Sequence, residues 1–146
     1  MTIPLFNMKT AYLFAGASTP SRVFAPDRGI TYWKNHESHM SQMIGSSPIQ
    51  LGDTTVSTTG EGVDVLSSAK ARDARDALRA QLLATILNLR NGSDPFAIGK
   101  HIGSTVDEAV DFLSAHAEPL TGKHPDRDRA ISLKDILDKF NNSGEG

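Results

Sequence analysis

The sequence predicts a mainly α fold. An irregular four-helix domain over residues 30–146 is preceded by an extended, partly β N-terminal arm over residues 1–29. Three observations lead there. Pro4, Pro20 and Pro26 cut the arm into short pieces that no helix can run through. From Gly29 onward, apolar residues recur at three- and four-residue steps, the period of one helix face. Finally, 146 residues suit one domain that can bury a core unaided, and the chain has no cysteine for disulfides.

Within the arm, Ala11–Ala15 and Val23–Ala25 are strand-length apolar runs carrying aromatic or β-branched residues. Ser18–Ser21 and Pro26–Gly29 are turn chemistry between them. The arm is a poor secretory signal. Pro4 and Asn7 come first, Lys9 is its only charge before a short apolar stretch, and only Ala15-Gly16-Ala17 imitates a cleavage site.

Four helices are expected after it. Thr31 caps the first, Tyr32–Ile44, with Trp33, His36, Met40 and Met43/Ile44 on one face and Gly45 as its stop. Residues 46–62 are rich in Ser, Thr and Gly. Ile49–Leu51 and Thr54–Val56 could pair around Gly52-Asp53, but an exposed loop is favoured. The second helix, Asp64–Arg90, has a charged first half and a second half, Leu82–Leu87, apolar nearly all round. It is therefore the central buried helix, ended by Asn91-Gly92. Thr105 opens the third with the capping box Thr105–Glu108, and Pro119 stops it. Phe96 and Ile98 anchor a short turn before it. The fourth starts at Ser132 and ends at Asn141-Asn142-Ser143-Gly144. The expected core is Leu82, Leu83, Ile86, Leu87, Val110, Leu113, Ile136, Leu137 and Phe140 around Trp33.

Composition removes several functions. With 15 basic against 17 acidic side chains the net charge is -2, which offers no generic basic footprint for nucleic acid. No apolar run approaches the ~20 residues of a membrane span. The absence of cysteine excludes a thiol nucleophile and Cys-ligated zinc.

Motif chemistry is sparse. His36-Glu37-Ser38-His39 spaces its histidines by three, whereas a zincin needs four. The plainer reading has His36 pack or hydrogen-bond beside Trp33 and leaves His39 in water. No Gly-x-Ser-x-Gly elbow and no phosphate-binding glycine loop is present. The segment His124–Asp135 has a calcium-loop shape. With Asp135 as position twelve, Asp126, Asp128 and Ser132 fall at three, five and nine. His124 stands at position one and Arg129 where glycine should turn the chain. Asp126, Asp128, Ser132 and Asp135 are thus at most a weak calcium site, and no other cofactor is indicated.

Three segments carry a resemblance: Tyr32-Trp33-Lys34-Asn35-His36-Glu37, Leu82–Gly92, and Leu133–Asn142. They resemble a secreted bacterial helical module of unknown activity. That module has a Gly-Tyr-Trp-Lys-Asn-His-Pro-Glu opening, an aliphatic central helix ending in Asn-Gly, and a dockerin-like last helix. Here Glu37-Ser38 replaces Pro-Glu, and the second Trp of the opening is missing. The resemblance implies an extracellular or cell-surface setting and no established activity. Within the opening, Trp33 needs an acceptor for its indole N–H, and Asn35 and His36 are expected to fasten the incoming loop.

The arm carries the functional expectation. It holds four of the nine aromatic residues. Phe6, Tyr12, Leu13, Phe14, Val23 and Phe24 are its candidate contact residues. The helical domain has complete apolar stripes without them, so the arm is expected to leave its domain and pack on another chain, a copy of itself first. Removing Met1–Arg28 is then expected to leave the domain folded. The chain reads as a non-catalytic structural or assembly module. The alternatives are a small accessory subunit docking onto a larger complex and, behind it, an enzyme using His and Asp/Glu.

Overall fold

Six helices and one antiparallel hairpin make up the residues described by the computed structural model, 23–143. They are α1 (Ile30–Asn35), α2 (Glu37–Ile44), β1 (Ile49–Leu51), β2 (Thr54–Val56), α3 (Thr59–Leu66), α4 (Ala74–Arg90), α5 (Ile102–Ala115) and α6 (Arg127–Asn141). The mainly α class holds, with more and shorter helices than the four expected.

The long α4 is the axis. Every residue from Ala80 to Leu89 is buried, as the all-round apolar run demands. The other helices and β1 pack round it, α6 most extensively. Trp33, Leu82, Leu83, Leu87, Leu113, Leu137 and Phe140 are fully buried in one core. Val110 and Ile136 are only partly buried at its edge.

Each departure from the expected elements has a local cause. The first helix breaks at His36, whose backbone (φ -129°, ψ 63°) leaves the helical region. Its Nδ1–H donates to the Tyr32 carbonyl at 2.7 Å, and its ring stacks on Tyr32 at 3.9 Å. Helix α1 is preceded by Gly29 rather than capped by Thr31. The expected loop at 49–56 is a hairpin with Ile49 opposite Val56 and Leu51 opposite Thr54. Ile49, Leu51 and Val56 turn inward and are buried, which supplies what an exposed loop would lack. Gly52, at φ +76°, is required there twice over: for its backbone, and because a Cβ would run into Leu113.

The expected 64–90 helix is two helices. A capping box closes the start of α3, with Thr58 Oγ1 accepting the Glu61 N–H and Glu61 accepting the Thr58 N–H. At the start of α4, Asp73 accepts the Arg75 N–H at 3.0 Å, the Leu120 N–H at 3.1 Å, and the Arg75 guanidinium. That carboxylate fixes the break. Helix α5 begins at Ile102, not Thr105: His101 Nδ1 accepts the Gly103 N–H and Thr105 is buried within the helix. It ends at Ala115, before Pro119 is reached. Helix α6 begins at Arg127, five residues before Ser132, because Ala130 extends the Leu133, Leu137, Phe140 stripe by one turn. Phe96 anchors nothing: it is more than half exposed, with its ring edge-on to His101. Among the described residues no helix is long and apolar enough to cross a membrane.

Candidate functional site at the arm junction

The arm enters the domain at Ala25. Its N–H donates to the Gly92 carbonyl at 3.0 Å, and it forms a single parallel bridge with Ser93. Two residues further on, Asp27 is buried, 3% exposed. Its Oδ2 accepts the Ser143 hydroxyl from just beyond α6, the Ser93 hydroxyl stands beside it and donates to the Pro26 carbonyl, and its Oδ1 has no partner. Burial pushes the Asp27 carboxyl above its usual 3.8, and nearby Asp94 adds to this. The two serine hydroxyls oppose the shift without cancelling it.

Arg28 is held at both ends of its backbone by one side chain. Its N–H donates to Asn88 Oδ1 at 2.9 Å, and its carbonyl accepts from Asn88 Nδ2 at 2.9 Å. The same Asn88 Oδ1 accepts the Trp33 indole N–H at 3.1 Å. Asn88 Nδ2 also donates to Asn141 Oδ1, which accepts Thr85 Oγ1 as well, both at 3.0 Å. Asn141 Nδ2 in turn donates to the Gln81 carbonyl and to Gln81 Oε1. Thr85, Asn88 and Asn141 are fully buried, and this network satisfies them, which is the condition for polar groups in a core. It ties the arm, α1, α4 and α6 together. The three segments behind the resemblance meet in it: Trp33 from the first, Asn88 from the second, Asn141 from the third.

Residues 25–29 are fastened to the helical domain, so a cut after Arg28 would remove the bonds to Asn88, Gly92 and Ser143 together with the arm. Just before the anchor the picture changes: Val23 is 90% exposed and Phe24 45% exposed. Phe6, Tyr12, Leu13 and Phe14 lie outside the described residues.

The histidines are occupied. Tyr32 Oη–H donates to His39 Nδ1 at 2.7 Å, and His39 Nε2–H donates to Asn91 Oδ1 at 3.0 Å. His39 is therefore the residue against Trp33, with ring centroids 4.7 Å apart, and His36 is the exposed one. This reverses the expectation. Asn35 is exposed, and Asn88 fastens the incoming chain in its place. The calcium-loop shape does not form. Asp126 precedes α6, and Asp128, Ser132 and Asp135 ride on that continuous helix instead of curling round a loop. Asp126 pairs with His116 at 3.1 Å, Asp135 with Lys134 at 2.7 Å, and Arg129 with Glu108. Among the described residues no group of three His, Asp or Glu side chains is placed to hold a metal ion.

The polar network itself was not foreseen. Its signal was present: Gln81, Thr85 and Asn88 share one face of an otherwise apolar helix. Comparison with protein-family models, curated proteins and solved structures finds no match for the chain.

Proposed function

We propose that this chain is a non-catalytic structural or assembly module that self-associates through its apolar N-terminal arm. The observation that carries this reading is the contrast at the arm junction. Asp27 and Arg28 are locked into the domain, while Val23 and Phe24, immediately upstream, are exposed. The sequence before them continues with Ile3, Leu5, Phe6, Tyr12, Leu13 and Phe14. Burying a side chain of this kind is worth about 1.5–3 kcal/mol, so a run of them favours a protein surface over water. The parallel bridge between Ala25 and Ser93 supports strand-like pairing as the arm's mode of contact. A head-to-tail exchange of arms would build a ring or a filament. The extracellular or cell-surface setting belongs to the same proposal and rests on the resemblance.

Light scattering coupled to gel filtration tests it with the full chain, with Phe14→Ser/Phe24→Ser, and with a chain lacking residues 1–22, which spares every bond of the anchor. The expected result is a multimer for the first and a folded monomer for the other two. A full chain that stays monomeric but is captured by a foreign subunit through the same residues would replace self-association with the accessory-subunit reading.

A further inference from the structure

A cleft of about 420 Å³ opens beside the polar network, between the start of α1, the α3–α4 turn and the outer face of α6. Gln81 joins the two: Asn141 holds it through its side-chain oxygen, and it also lines the cleft. Around it stand Lys70, Lys134, Asp138 and Asn142. The charges in this wall are incompletely matched. Lys70 has no hydrogen-bond or ion-pair partner among the described residues. Lys134 is four residues from Asp138, a spacing that lets them pair on a helix, yet its ammonium lies 2.7 Å from Asp135 instead. Asp138 is left with the Asn142 amide and, among the described residues, no cation.

Among the described residues, one cleft thus presents an ammonium without a carboxylate partner and a carboxylate without a cation, over a floor held in place by a satisfied network. An ion of one sign gains at one of these groups and is repelled by the other. A small molecule carrying both signs gains at both. We propose that this cleft binds a small zwitterion of the free α-amino-acid type. Its carboxylate lies against Lys70, its ammonium against Asp138, and Gln81 and Asn142 offer hydrogen bonds between. The fixed floor lowers what must be ordered when the ligand enters. This site is separate from the arm and does not depend on the self-association reading.

The test is calorimetric titration of the full chain, at low ionic strength, with a panel of neutral free L-amino acids. The best member is then compared with its amide, which lacks the carboxylate, and its N-acetyl form, which lacks the ammonium. At least one amino acid should bind saturably at millimolar concentration or below, and each modified form should bind at least fivefold more weakly. Lys70→Met and Asp138→Asn should each weaken binding at least fivefold, and Lys123→Met, outside the cleft, should not. Lys70 is exposed, so its variant tests the site even if the Asp138 variant fails to fold. The proposal is overturned if no panel member binds saturably. It is equally overturned if the amide and the N-acetyl form bind as well as the parent, or if Lys70→Met leaves binding intact.

Discussion

Two buried side chains of α4 show what single residues contribute. Leu83 is fully buried among apolar neighbours, so Leu83→Ala removes contacts and leaves a void, a loss of about 2–5 kcal/mol by urea unfolding. Asn88 sits at the centre of the polar network. Asn88→Ala strands the Trp33 indole N–H and the Arg28 N–H, and orphaned buried donors cost about 1–3 kcal/mol each. It should therefore destabilise by roughly 3 kcal/mol or more. It should also change Trp33 fluorescence, which Leu83→Ala should leave closer to the parent. Asp27 behaves differently again. Its folded carboxyl lies above the ordinary 3.8, so the folded chain binds that proton more tightly than the unfolded one. The resulting penalty is absent below 3.8 and grows as pH rises through the folded value. Asp27→Asn should then be at least as stable as the parent at neutral pH, with the advantage gone at pH 3. Equal pH dependence in the two proteins would contradict this account. The leucines were legible because period alone places them. The contacts of Asn88 were not, because its partners come from the arm, from α1 and from α6, some fifty to sixty residues away.

Helix boundaries depend on capping groups that compete along the chain, and here several were read one cap too late or too early. The α3–α4 break turns on Asp73. Burial opposes ionisation of this carboxyl, but the Arg75 guanidinium and the Leu120 and Arg75 amides outweigh it and hold the group at about 2. The folded state therefore gives up this proton more readily than the unfolded chain. The stabilisation is fully present above the ordinary 3.8 and is lost as pH falls through about 2. Asp73→Ala should lower stability at neutral pH, about 0.5–2 kcal/mol of it through the lost cap, and the gap from the parent should close in acid. Acid titration of both proteins by circular dichroism measures this. In the sequence Asp73 is one of several charges in the first half of the expected 64–90 helix; its bond to Leu120 comes from the segment between α5 and α6. The β1–β2 hairpin was legible as a spacing around Gly52-Asp53. What favours it over a loop is tertiary: the close approach of Gly52 to Leu113 in α5. The calcium pattern failed for the converse reason, since a helix that starts at Arg127 uses the same residues.

For the molecule as a whole, the mainly α class and the central α4 followed from periodicity. The division of the arm did not. Pro26–Gly29 looks like turn chemistry, yet Asp27 and Arg28 are among the residues most firmly tied into the domain. The domain thus holds its own end of the arm, while Val23 and Phe24 are exposed. That asymmetry makes self-association through residues 1–24 the central claim, and mass in solution tests it most directly. Sedimentation equilibrium of the full 15.7 kDa chain should give a mass that rises above the monomer with concentration. A chain lacking residues 1–22 should stay monomeric with the same helical circular dichroism per residue over the retained part. A full chain that remains at the monomer mass at every concentration would contradict the claim.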